Sequence, residues 1–229
     1  GEKAGITFKN GSPIGIFDGQ MFADEGCATI SDKKTGELLF YTNGLTVWNS
    51  KHQIMKNGTD LMGDYSATQS ALIVPDPGNS LQYYIFTAPP FTSGTGPTSS
   101  LYYSLVSLEN PEGELLYKNY SLYDGLSEKL TGTLDCSGKG YWVVVHSARK
   151  GIFYSYHITS AGVNITPVIS KYTEEIVDAR YGYMKISPDR TKLALASGKV
   201  GSSSTGPPIP FPLLLFNFNA ETGNLTLNN

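Results

Sequence analysis

The apolar positions of this chain fall in short runs with a period of two, bounded by Asp, Gly, Pro and Asn, the pattern of half-buried strands joined by tight turns. In residues 152–159, Ile152, Tyr154, Tyr156 and Ile158 point one way while Ser155, His157 and Thr159 point the other. One motif returns four times, closing on an aspartate or a proline-aspartate turn. The copies are Ala28-Thr29-Ile30-Ser31-Asp32, Ala71-Leu72-Ile73-Val74-Pro75-Asp76, Gly132-Thr133-Leu134-Asp135 and Met184-Lys185-Ile186-Ser187-Pro188-Asp189. A second apolar strand follows each copy, at 38–42, 82–87, 141–146 and 192–196. Successive aspartates stand about 44, 59 and 54 residues apart, a period that suits four-stranded propeller blades with loops of unequal length. Third strands are expected at 45–49, 101–108, 152–159 and 213–219, with less distinct fourth strands after them. The predicted fold is an all-β propeller of WD-repeat-like blades, each of four antiparallel strands, over residues 23–65, 66–125, 126–178 and 179–229, with 1–22 supplying strands of a partial blade. Only 172–180 reads as helical, and it is short.

Turn chemistry separates two ends of such a structure. Connections from first to second strand are tight, as in Asp76-Pro77-Gly78-Asn79, and those from third to fourth are compact, as in Ser160-Ala161-Gly162. Second-to-third connections range from Asn43-Gly44 to the long Gly, Ser, Thr and Pro-rich stretches 88–100 and 197–212. In a propeller these variable loops share a face with the mouth of the central channel, so a binding function is expected there.

Composition agrees with strands and turns: 15 Tyr, 25 Gly and 13 Pro in 229 residues. A net charge of -3, with the 17 basic residues scattered, offers no stripe for phosphates, so nucleic acid is not an expected partner, and no apolar run of spanning length suggests membrane insertion. Cys27 precedes the first inner strand and Cys136 follows the third copy, an offset on the order of 20 Å along the strands that no disulfide bridges. Two unpaired thiols are therefore expected, and they do not assign a compartment.

The phrases Glu25 to Asp32, Leu39-Phe40-Tyr41-Thr42-Asn43-Gly44 and Val47-Trp48-Asn49 resemble the N-terminal β-propeller region of large secreted bacterial surface proteins of the gliding-motility-associated and type IX secretion sorting-domain class. Residues 66–75, Tyr83 to Thr87, Glu128-Lys129-Leu130, Tyr141-Trp142-Val143-Val144 with His146, and 182–189 continue the resemblance over nearly the whole chain. Ile186-Ser187-Pro188-Asp189 is also similar to the Ser-Pro-Asp-Gly turn of other bacterial propellers, with Arg190 in place of the usual Gly. The resemblance implies a secreted or cell-surface setting, with any signal peptide already removed from this chain, and supplies no catalytic residue. The segments 5–8 and 13–17 read as outer strands with no inner pair after 225–227 to receive them, so an incomplete ring is expected, four blades plus a partial one from a parent of about seven, whose open blade edge invites self-association.

Candidate site residues are those just before each inner strand: Asp24 and Glu25, Thr68 and Gln69, Glu128 and Lys129, Arg180 and Tyr183. Both charge signs and amides converge there and suit a polar ligand. The competing reading is that they pair with one another and close the channel. His146 follows an apolar strand without a second ligand at metal spacing, which favours a hydrogen-bonded structural histidine; Trp48 and Trp142 read as packing between blades. Glu25 with Glu128 is the only nominee for a pair of glycosidase carboxylates. Nucleophile-elbow, phosphate-loop and zinc-helix motifs do not occur, and Asn57, Asp60 and Asp64 miss calcium-loop spacing, so no catalytic, metal or cofactor site is assigned. Sequons stand at Asn10, Asn57, Asn119, Asn164 and Asn224. The expected function is a non-enzymatic interaction or adhesion module binding a protein or glycan on the loop-rich face. A polysaccharide-active enzyme at the channel mouth and a structural spacer are the alternatives.

Overall fold

The computed structural model describes residues 3–9, 11–88, 100–148, 150–173, 181–196 and 213–228, and among them there is no helix. Strands β1 (Gly5–Thr7) and β2 (Ile14–Ile16) pair only with each other. Blade 1 holds β3 (Ala28–Ser31), β4 (Leu38–Thr42) and β5 (Val47–Asn49). Blade 2 holds β6 (Ala71–Pro75), β7 (Gln82–Thr87), β8 (Leu101–Ser107) and β9 (Glu114–Tyr123). Blade 3 holds β10 (Leu126–Leu134), β11 (Tyr141–Ser147), β12 (Gly151–Thr159), β13 (Gly162–Val163) and β14 (Val168–Thr173). Blade 4 holds β15 (Met184–Ile186), β16 (Lys192–Ala196), β17 (Leu213–Phe218) and β18 (Leu225–Leu227). The four antiparallel sheets are arranged in a ring as blades of a β-propeller. Their inner strands touch in succession, β3 on β6, β6 on β10 and β10 on β15.

The recurring aspartates organise the first turn of each blade. Asp32 Oδ1 accepts the amides of Lys34 and Thr35, each at 2.8 Å, and Asp76 Oδ1 accepts that of Gly78 at 2.8 Å. Asp189 takes the Ser187 hydroxyl at 2.6 Å and the Thr191 hydroxyl at 2.9 Å. Side-chain acceptors thus satisfy turn amides that the strands leave unpaired, which explains why Asp closes every copy of the motif.

The period-two pattern becomes packing between blades. Tyr154, Tyr156 and Ile158 of β12 join Val143 and Val145 against Val74, Tyr84 and Phe86 of blade 2. Phe153, on the opposite face of the same strand, joins Trp142 and Val144 against Met184, Leu193, Leu195, Phe216 and Phe218 of blade 4. Blade 1 presents Phe40 and Val47 to Ile85, Val106 and Leu115 of blade 2. Full burial of each such aromatic or aliphatic side chain is worth about 1.5–3 kcal/mol, so most of the stabilisation lies between sheets. The turns interlock as well: Arg190 Nη1 donates to the Asp135 carbonyl at 2.7 Å, and the Cys136 amide donates to that of Ala220 at 2.9 Å. Cys27 and Cys136 are exposed free thiols.

Several details differ from expectation. Blade 1 has three strands and one further bridge: the Asn49 carboxamide oxygen collects the amides of Lys51 and Gln53, each at 3.0 Å, in a turn with His52 at a φ of 62° that returns Ile54 to a position opposite Trp48. Beyond that bridge Lys56 pairs with Glu114 of β9 in blade 2 and the chain turns again at Asn57, with a φ of 60°. Leu45 and Thr46 are outside β5 because both amides donate to Asn43 Oδ1 at 3.0 Å. Blade 3 has a fifth strand: β14 pairs with β12, so Tyr172 and Thr173 are extended rather than helical, and the remainder of that expected helix, 174–180, is outside the described residues. The N-terminal segments, expected as strands of a partial blade, form a two-stranded hairpin of their own, with Ile6, Phe8, Ile14 and Phe17 exposed. Leu213 and Leu215 of β17 are exposed too.

The joint between blades 1 and 2 depends on one glycine. Gly26 N–H donates to the Ala67 carbonyl at 3.1 Å and its own carbonyl accepts the Ser70 hydroxyl at 2.6 Å. A Cβ there would lie 2.3 Å from the Ser70 nitrogen and 2.7 Å from the Ala67 oxygen, both backbone atoms. Gly26→Ala is therefore expected to cost on the order of 2 kcal/mol, read as a melting temperature lower by several degrees. Gly15→Ala is the control, since its Cβ would meet nothing nearer than 3.6 Å. Equal melting of both variants and the parent would refute the role of this contact.

Candidate functional site

The segments that lead into the inner strands meet at one rim, and most of their polar groups turn to one another. The Thr68 amide and hydroxyl both donate to Glu128 Oε2, at 2.9 and 3.0 Å, which ties the lead-in of blade 2 to that of blade 3. Gln69 reaches further. Its Oε1 accepts the Met184 amide at 2.8 Å and the Leu130 amide at 3.4 Å, while its Nε2 donates to the Met184 carbonyl at 3.2 Å. One carboxamide from blade 2 thereby holds backbone groups of blades 3 and 4, a role for which its two-sided donor and acceptor chemistry is suited.

Glu128 and Lys129 are 1% and 0% exposed, so both lie beneath the rim rather than on it. Glu25 and Asp24 are exposed, and their amides each donate to the Tyr65 carbonyl at 3.1 Å. Tyr183 is 54% exposed, with its backbone paired to Ala196 in both directions. Arg180 lies outside the described residues. The rim thus brings Thr68, Gln69 and Glu128 together and leaves Glu25 and Tyr183 facing solvent.

His146 stands beneath this end of blade 3, fully buried, with Nε2 sharing a 3.1 Å hydrogen bond with the Tyr172 hydroxyl. Burial, reinforced by the Lys129 ammonium, pushes its pKa down from 6.5 to about 3, so it stays neutral. Trp48 stacks on Tyr41 at 5.4 Å between ring centroids, and Trp142 stacks on His157 at 4.2 Å while its Nε1 donates to the Ala220 carbonyl. Trp142 belongs to the cluster between blades 3 and 4. Asp60 meets Lys118 at 3.8 Å and Asn57 Nδ2 donates to the Leu115 carbonyl. Among the described residues no group of three His, Cys, Asp or Glu is placed to hold a metal ion.

Two features escaped the sequence reading. On the turn face a cleft of about 470 Å³ opens between Pro77, the turn from Asp135 to Gly140, and Thr159 with Ser160. Burial alone would raise the Asp135 pKa, yet the Ser137 hydroxyl at 2.7 Å, His157 Nε2 at 3.1 Å and the Gly140 and Lys139 amides outweigh it and hold the group at about 2. The carboxylate stands between Ser137 and His157, so the histidine does not reach the hydroxyl and no nucleophile–base pair forms. On the rim, Phe22 and Tyr65 pack edge to face at 5.5 Å beside Asp24 and Glu25. Their sequence signal was slight, single aromatics beside acids in two connections.

Compared with known proteins, the chain matches no family model and no curated protein.

Acid titration separates the two buried groups. A histidine neutral in the fold gains a proton on unfolding, so the His146 contribution is complete above about pH 6.5 and drains as pH falls towards 3. Asp135, whose folded pKa is depressed, contributes fully above about pH 4 and loses that contribution as pH approaches 2. Urea unfolding across this range is expected to show both phases, with His146→Leu reducing the upper and Asp135→Asn reducing the lower, to which the depressed Asp32 and Asp189 carboxyls also contribute. A His146→Leu profile with an unchanged upper phase would contradict the assignment. Gln69→Met, which orphans three rim backbone groups, is expected to lose on the order of 2–3 kcal/mol in the same assay, and a loss within error of zero would refute the clamp.

Proposed function

We propose that this chain is a non-enzymatic interaction module, secreted or displayed at a cell surface, that binds a protein or glycan partner through the loop-bearing rim of its propeller. The observation that supports this most is the division of labour at the rim. Gln69, Thr68 and Glu128 lock the frame, while Tyr183, Tyr65, Phe22, Asp24 and Glu25 stand exposed on it. Exposed aromatics beside charged groups on a rigid scaffold are the usual makings of a recognition surface. The secreted setting rests on the sequence resemblance. A polysaccharide hydrolase would need Glu25 and Glu128 both facing substrate, and Glu128 is buried against Thr68, which disfavours that alternative.

The test is binding of the labelled chain to a glycan array and to tiled peptides of surface proteins. Tyr183→Ala and Glu25→Gln, both at exposed positions, are expected to keep the fold by circular dichroism. At least one should weaken the ligand found by about fivefold to tenfold. A ligand held equally by the parent and both variants would remove the rim site, and absence of any ligand in both formats would refute the module.

A further inference from the structure

The rim carries an apolar corner whose surroundings are acidic. Phe22 is 44% exposed and Tyr65 is 39% exposed, and their planes meet at 66° with centroids 5.5 Å apart. The backbone beneath them is fixed: the Phe22 carbonyl accepts Asn43 Nδ2 at 2.8 Å, and the Tyr65 carbonyl accepts the amides of Asp24 and Glu25. Those hydrogen bonds bring the backbone of two exposed acidic residues, two and three positions after Phe22, against Tyr65, and the partly buried Asp64 adds a third acid from the position before Tyr65. Asp64 Oδ1 accepts the Ser66 amide and hydroxyl at 2.8 Å. Asp24, Glu25 and Asp64 take part in none of the ion pairs among the described residues. Lys3, whose amide donates to the Met21 carbonyl, is a basic residue whose backbone lies beside this segment, and it takes part in none of the ion pairs among the described residues.

We propose that this corner is a docking surface for a basic segment of a partner protein, with an arginine or lysine side chain lying against the Phe22 and Tyr65 rings and the three carboxylates facing its charge. The inference rests on the interaction-module reading and names the partner's chemistry. Charge complementarity decides the occupant. A cation gains from the faces of aromatic rings and from uncompensated carboxylates together, whereas a pyranose stacks best on one flat open ring, and two rings inclined at 66° offer a face and an edge instead. Because the corner is held by backbone hydrogen bonds, little ordering cost accompanies binding.

The experiment uses the full chain and three probes: a fluorescent short peptide of alternating glycine and arginine, its citrulline counterpart, which has nearly the same shape without the charge, and a β-linked gluco-oligosaccharide. The arginine peptide is expected to bind, to weaken with added salt, and to lose about fivefold in affinity in Tyr65→Ala and again in Asp24→Asn combined with Glu25→Gln. Phe22→Ala serves in place of Tyr65→Ala if that variant melts early. The proposal is overturned if the citrulline peptide binds equally, if removing the ring leaves arginine binding unchanged, if the arginine peptide does not bind, or if the oligosaccharide is the probe that depends on Tyr65. A partner lost in Tyr183→Ala but unmoved by Tyr65→Ala overturns the corner alone and leaves the module reading standing.

Discussion

No blade of this protein can bury its own apolar surface, and that constraint shapes everything else. A sheet of three to five short strands has two faces and no helix to cover either, so each face must find another sheet. In β12 the consequence is visible residue by residue: Tyr154, Tyr156 and Ile158 are buried against blade 2 and Phe153 against blade 4. Cooperativity between blades is the expected result, since removing one sheet uncovers the faces of its neighbours.

The polar groups near the axis follow the same logic. Glu128 and Lys129 are buried in a bulge of β10, between the Leu126–Ser147 and Leu130–Val145 pairs. A buried carboxylate needs donors, and Thr68 supplies two. Gln69 performs a comparable service for buried backbone groups of Leu130 in β10 and Met184 at the start of β15. Residues that look like a ligand-binding ring in one dimension are thereby occupied in holding the ring together, and the outer members of the rim are left exposed.

How much of this was legible in the sequence depended on the range of the interaction. Strands at 38–42, 82–87 and 192–196 coincide with β4, β7 and β16, because each is set by local alternation and an adjacent aspartate turn. The reduction of the fourth strand of blade 1 to the Trp48–Ile54 bridge was hidden in the pairing of Lys56 with Glu114 of blade 2, and the strand conformation around Tyr172 in the pairing of β14 with β12. The rim positions and the reading that they pair with one another were legible, and Thr68 with Glu128 agrees with it, but the particular partners were not: Gln69 meets Met184 across 115 residues of chain, a partnership no local pattern encodes. The corner of Phe22 and Tyr65 joins two connections in the same way.

Hydrogen exchange of the Met184 amide tests the account most directly, because its acceptor is a side chain from the blade two positions away. If blades 2 and 4 are joined through Gln69, this amide should be protected to the same degree as the interior amides of β11, exchanging only on global unfolding. Exchange as fast as at an open strand end, with β11 still protected, would contradict a ring held together at its axis.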